Sequence, residues 1–238
     1  MENKFLIFDI FGDYAHFKKY YTTSSPLTFS IPPRTAIIGL ISAIIGIDKN
    51  QYLEVMSKTK ARVAVRIINP IQKVRMGINL INTKDWYWWP VRTKTHEPRT
   101  QIRFEFLRNP RFRIYFSHSE LYNNLKEFLQ NHKSFYTPYL GISELICDFE
   151  FIEESEIEEE LEGEDFIDVH TVVPLEEKFD LEIEEGKSYY KEKIPTEMEP
   201  GRAVKEYREV IYEEKGKTIK CKIKGAYRLK NGDVITLL

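Results

Sequence analysis

Cysteine is scarce: Cys147 and Cys221 are the only two in 238 residues. They stand far apart, in no metal-binding or redox spacing, which argues against a disulfide framework, a zinc finger or a thioredoxin-like centre. Glycine is thin, 11 residues scattered along the chain, and no phosphate-binding glycine loop can be drawn from them. No His-Glu-x-x-His helix motif occurs; His96-Glu97 and His118-Ser119-Glu120 are isolated groups. Long apolar runs are missing too. The most apolar stretch, residues 36–47, is too short to span a bilayer. Asp9 and Asp13 interrupt the N-terminus where a secretory signal would need an unbroken apolar core. No metal, no cofactor and no membrane association is expected, and a soluble cytoplasmic protein is.

What is present is polarised. The formal net charge of −2 conceals 21 Lys and Arg against 10 Asp and Glu in residues 1–138, and 14 against 27 in the remainder. A basic half attracts polyanions; an acidic half repels them or meets a basic partner. Aromatic residues are plentiful, with 14 Tyr and 15 Phe.

The first 46 residues carry the strongest local pattern. Phe5 to Phe11 is short, apolar and rich in Ile and Phe, which predicts a covered strand. After Gly12 come Asp13-Tyr14-Ala15-His16-Phe17-Lys18-Lys19-Tyr20-Tyr21-Thr22-Thr23-Ser24-Ser25, a loop of rings, cations and hydroxyls. Such groups hold a single nucleic-acid strand by stacking and phosphate contact. Pro32-Pro33 then bars helix before it and suits a helix start after it. Ile37, Ile38, Leu40, Ile41, Ile44 and Ile45 make the following helix apolar almost all round, and Ala36, Gly39 and Ala43 would let it lie close to a sheet.

The remaining periodicities predict a helix near 50–58, a strand at Arg62–Asn69, strands at Ile102–Leu107 and Phe112–Phe116 about a turn at Arg108–Arg111, a helix at Ser119–Asn131 with Ser119 as N-cap, and a strand at Leu145–Ile152. This order is that of a ferredoxin-like, RRM-like α+β domain over residues 1–152, with an excursion at about 70–100. Residues 153–165 read as an acidic linker or surface hairpin. Short strand-like pieces at 166–173, 179–184, 204–212, 218–224 and 233–237 then suggest a small β-rich C-terminal subdomain spanning 153–238, with an Asn231-Gly232 hairpin turn.

The excursion surrounds Trp86, Tyr87, Trp88 and Trp89 with Lys73, Arg75, Lys84, Arg92, Lys94 and Arg99. On a strand Trp86 and Trp88 would share a face, either as core or against a ligand. Arg111 and Arg113 would point together, toward solvent or phosphate. A metal-independent ribonuclease could be assembled from His16, Tyr20 or Tyr21, and Lys94 or His96, as general acid, general base and charge stabiliser.

Gly12-x-x-Ala15-His16-Phe17-Lys18-Lys19-x-x-Thr22-Thr23-Ser24 followed by Ile31-Pro32-Pro33-x-Thr35-x-x-x-Gly39-Leu40 resembles the N-terminal signature of the CRISPR-associated protein 5 family. Further similarity lies at Thr95-x-x-Pro98, Glu105–Pro110, Pro138–Ser143 and Ile194–Met198, and the spacing is most similar to the subtype I-B branch. The resemblance implies a ferredoxin-like domain with a β-hairpin thumb, here about residues 70–100, and a smaller C-terminal β region. It implies a non-catalytic subunit that caps one end of the Cascade surveillance complex, grips the 5′ handle of the guide RNA, touches the backbone and large subunits, and meets target DNA only indirectly. One branch of the family cleaves repeat RNA itself, so an endoribonuclease is the alternative. The RNA-binding set then comprises Tyr14, His16, Phe17, Lys18, Lys19, Tyr20, Tyr21, Thr22, Thr23 and Ser24 in the loop, Arg34, and Lys73, Arg75, Trp86, Trp88, Arg92, Lys94 and Arg99 in the thumb.

Overall fold

The strand β1 (Lys4–Phe11) is apolar on both faces because both are covered. Leu6, Phe8 and Ile10 face the main core, while Phe5 and Ile7 pack on the opposite side with Ala64, Tyr115, Leu229 and Ile235. The structure, a computed structural model, describes residues 3–22, 24–83, 91–93, 97–176 and 179–238. The Trp86–Trp89 run, Thr23, Lys84, Lys94 and His96 lie outside the described residues.

Along the chain, β2 (Tyr14–Ala15), α1 (Arg34–Ile45), α2 (Tyr52–Val55), β3 (Ala61–Ile67), β4 (Lys73–Ile81), β5 (Arg99–Arg108), β6 (Arg111–His118) and α3 (Tyr122–Gln130) follow β1. Then come β7 (Asp148–Leu161), β8 (Ile167–Val169), β9 (Val173–Pro174), β10 (Asp180–Leu181), β11 (Tyr189–Met198), β12 (Val204–Glu213), β13 (Ile219–Lys222), β14 (Ala226–Leu229) and β15 (Val234–Ile235). The fold is mixed α/β and mostly strand. Its main sheet has six antiparallel strands in the order β15-β14-β7-β1-β6-β3. Three smaller sheets run β2-β5-β4, β11-β12-β9 and β10-β13-β8.

α1 starts after Pro33 and stops at Gly46, whose φ of 79° is the left-handed conformation that closes a helix without a Cβ penalty. Its isoleucines join Leu125 and Leu129 of α3 in the core against β1, β3 and β6. α3 begins three residues later than its sequence suggests. Ser119 is not its cap: His118 Nδ1 accepts the N–H groups of Glu120 and Leu121, while Nε2 donates to the Val55 carbonyl at 3.0 Å.

Three segments take a definite form. The acidic run is not a linker. Residues 153–161 continue β7, which pairs with β1 on one side and β14 on the other. Phe149 and Ser155 turn inward while the glutamates meet solvent or Lys4, Lys126, Lys230 and Arg228. Second, β4 and β5 pair as a regular antiparallel ladder from Lys73↔Leu107 to Ile81↔Arg99, in keeping with a β-hairpin in the excursion. Third, Arg111 and Arg113 point together and stay partly exposed, but neither is free: each donates Nε to the buried Asp9 carboxylate at 2.8 Å. Among the described residues no helix is long and apolar enough to cross a membrane, and no His, Cys, Asp and Glu cluster could hold a metal ion.

Candidate nucleic-acid interface

The polar loop is a narrow ribbon pinned at its base. Phe29 donates N–H to the Phe17 carbonyl at 2.7 Å and Lys19 to that of Leu27 at 2.8 Å, while Lys18 bridges to Thr28. Thr28 Oγ1 accepts the Phe17 N–H, and Thr22 Oγ1 closes a turn onto the Lys19 carbonyl. The tip therefore projects Tyr20 and Tyr21, 53% and 61% exposed, edge to face at 5.1 Å. Tyr20 leans on Tyr207 of β12, 4.8 Å between ring centres, and Lys193 of β11 lies over the Tyr207 ring. Lys18 and Ser24 are exposed, and Lys18 has no ion-pair partner among the described residues.

Other members of the expected set turn inward. His16 is 1% exposed, set against Phe104 and Phe106, with Nδ1 donating to the Glu105 carbonyl at 2.7 Å. Phe17 is buried against Phe112. Arg34 is 1% exposed and donates to the carbonyls of Met56, Ala61 and Thr196. Burial pushes its pKa down to about 10, opposed by Glu197 and Glu206, so it stays charged at neutral pH. These three do not face a passing strand: aromatic rings from distant elements claim His16 and Phe17, and main-chain carbonyls claim Arg34. His16 and Tyr20, candidates for one catalytic set, stand against different partners, the β5 aromatics and Tyr207.

Lys19 is half way between the two groups. Its ammonium pairs with Glu192 at 2.8 Å beneath Tyr21 and over Phe29. Burial works against the charge, but Glu192 outweighs it and lifts the pKa above its ordinary value. Tyr14 packs edge-on to Phe106. In the hairpin, Lys73 and Arg75 approach Glu105 at 3.7 Å, Arg92 pairs with Glu97, and Arg99 is exposed.

Two grooves flank the ribbon. The wider, about 650 Å³, runs between Lys18, α1 and the 136–141 segment, and is lined by Tyr52, Tyr136, Tyr139, Lys49 and Arg202. The narrower, about 400 Å³, has Lys19, Lys73, Lys191 and Lys193 around Tyr21, Tyr190 and Tyr212, with Glu192 and Glu214 also on its wall; Lys19, Lys73 and Lys191 are ion-paired, to Glu192, Glu105 and Glu209. A cationic, aromatic surface is thus present, but half of it comes from residues the sequence does not single out. The lysines and tyrosines of β11 lie in the acidic half of the chain, and their only local signal is the alternation Tyr190-Lys191-Glu192-Lys193.

A family model described as CRISPR-associated protein (Cas_Cas5) matches residues 5–212. The chain belongs to the CRISPR-associated Cas5 family. No curated protein matches this Cas5 chain. Among solved structures it is similar to a CRISPR protein from Archaeoglobus fulgidus, at 14% identity over 98% of this chain and 97% of that one, with a TM-score of 0.57. It is also similar to a chain of a CRISPR RNA-guided surveillance complex, at 12% identity, 96% and 92% coverage and a TM-score of 0.54. A third likeness is to a chain of the Type III-B Cmr-beta bound to cognate target RNA and AMPPnP, at 10% identity, 90% and 86% coverage and a TM-score of 0.52. At these identities the shared property is the fold.

Two histidines give this Cas5 chain a pH signature. Burial pushes the His16 imidazole below its usual 6.5, partly opposed by the Glu105 carbonyl, and burial does the same to His170 against the pull of Asp233. Both rings are neutral in the fold, whereas the unfolded chain takes up protons near the ordinary value. Their contribution is complete above about pH 6.5 and is lost as the pH falls below it. Thermal melts should give a lower Tm at about pH 5.5 than at about pH 7.5, with His170→Gln removing part of the difference. A Tm independent of pH across that window would contradict the assignment.

Proposed function

We propose that this chain is a non-catalytic subunit of a type I CRISPR surveillance complex, of subtype I-B, that binds the 5′ handle of the guide RNA and caps the backbone of the assembly. The observation that carries this reading is the exposed Tyr20–Tyr21 pair, with Lys18 beside it and a cation-lined groove on either flank. Rings at the tip of a pinned ribbon offer π-faces to unpaired bases, and the lysines meet the phosphates. The order β7-β1-β6-β3 with α1 and α3 on one face supports a ferredoxin-like arrangement for the first part of the chain. The β4–β5 hairpin fits the thumb, with Lys73, Arg75, Arg92 and Arg99 as phosphate contacts. The spacing of the N-terminal motif supports subtype I-B. The backbone and large subunits are the protein partners, target DNA is met indirectly, and the site of action is the cytoplasm.

Tyr20 and Tyr21 are exposed, so replacing both with alanine should leave the fold intact. Loss of one to two stacked bases, at about 1–3 kcal/mol each, should weaken binding of repeat-derived single-stranded RNA by about tenfold or more. The affinity of the unaltered chain should also fall steeply as salt rises. Fluorescence anisotropy with labelled repeat RNA reads both effects; an unchanged Kd in the double variant would refute the proposal.

A further inference from the structure

We infer that the wider groove seats one nucleotide of a single strand, its base against α1 between Tyr52, Tyr136 and Tyr139, and its phosphate at Lys18 and Arg202. This rests on the RNA-binding reading above and narrows it to one pocket.

The charge comes first. Lys18, Lys49 and Arg202 line the groove against a single carboxylate, Asp48, and none of the three has an ion-pair partner among the described residues. They come from three separate segments: the ribbon, the turn after α1, and the β11–β12 turn. Such convergence leaves an uncompensated positive field suited to a phosphate. The rings come next. Tyr136 and Tyr139 are 50% and 47% exposed, too open for core residues, and Tyr52 lines the same groove. The floor is the side of α1 that carries Ala36, Gly39 and Ala43. These residues do not meet the sheet, as their size suggests; the isoleucines do. A Cβ placed on Gly39 would find only Tyr52 within contact distance, at 3.9 Å, so the floor is flat and uncovered. Thr35 and Thr137 add hydroxyls at the wall, where base edges would lie. The volume, about 650 Å³, falls in the range of small-ligand sites. A protein segment could also enter an apolar groove, but the three free cations favour a polyanion.

Substitutions at two positions separate this site from the ribbon. Tyr139→Ala removes an exposed ring, and Tyr139→Phe keeps it. Arg202 has a φ of 62°, the left-handed region that glycine adopts without strain, so Arg202→Gly removes the cation without harming the fold. With fluorescein-labelled single-stranded repeat RNA as probe, Tyr139→Ala and Arg202→Gly should each weaken binding by about fivefold or more, Tyr139→Phe should restore it, and the Tm of Arg202→Gly should not fall. In addition, 4-thiouridine placed along the probe should crosslink to Tyr139 from one position only. Unchanged affinity in both groove variants, while the Tyr20/Tyr21 double variant loses it, would overturn the pocket and leave the ribbon reading standing. Unchanged affinity in all of them would overturn both. Normal RNA binding with failed assembly of the complex would overturn the pocket in favour of a protein segment.

Discussion

Replacing Arg34 with alanine is expected to destabilise the protein by about 3–5 kcal/mol, from the cavity left in the core and the loss of charge-assisted hydrogen bonds to three carbonyls. Its side chain is the largest fully buried one among the described residues, and its guanidinium spans the carbonyls of Met56 and Ala61 at 2.9 Å each, and of Thr196 at 3.3 Å. It fastens the start of α1 to the α2–β3 connection and to β11. Alanine would leave a cavity and three carbonyls without their donor in a place that water reaches poorly. Lysine cannot repair the loss, because one ammonium cannot span the forked geometry. Chemical denaturation followed by circular dichroism checks the number. RNA affinity measured on the folded fraction should be near that of the unaltered chain, since the side chain has no route to the surface. A variant that folds normally but binds RNA poorly would reverse this assignment and return Arg34 to the binding set.

The second large effect is expected at Gly141. Its φ is 99°, outside what an L side chain adopts readily, and a Cβ there would stand 2.0 Å from the His16 carbonyl oxygen. No rotamer change relieves a clash with backbone. Gly141→Ala should therefore cost about 3 kcal/mol or more, combining conformational strain with displacement of the ribbon. The adjacent hydrogen bond, His16 N–H to the Leu140 carbonyl at 3.0 Å, should be lost with it. Because Gly141 also borders the wider groove, RNA binding should fall even in molecules that remain folded. A Tm within a degree or so of the parent would show that the 138–143 segment adapts, and that its close approach to His16 is dispensable.

The order of β1, α1, β3, β6 and α3 is legible in the sequence because each of these elements carries its own period and stop signals. Pro33 and Gly46 bracket α1, and Leu125 and Leu129 give α3 its buried face. β7 is harder to read. Seven of its fourteen residues are glutamate, and only its partners on both edges explain why it is a strand rather than a solvated tail. β11 escapes notice for a similar reason: Lys191, Glu192 and Lys193 look like loop residues until β12 pairs with them. In the candidate site, Tyr20, Tyr21 and Lys18 are exposed as their composition suggests. His16 is not, because Phe104 and Phe106, nearly ninety residues away, close over it. Arg34 hides for the same cause, since its acceptors lie on three other segments. Local pattern names the residue types that suit RNA; long-range packing decides which of them remain outside.

The main sheet is completed out of order. β14 pairs with β7 only after the two small sheets between them, β10-β13-β8 and β11-β12-β9, have been encoded, and β15 follows it. During translation, β1, β3 and β6 can leave the ribosome and associate while the far edge of β7 still lacks its neighbour. A bare strand edge of that length invites pairing with another nascent chain. The glutamates along β7 set like charges against one another there, which discourages such union until the last hairpin arrives. Production of this protein should accordingly suffer more from early termination or slow synthesis of its final segment than from changes in the intervening loops.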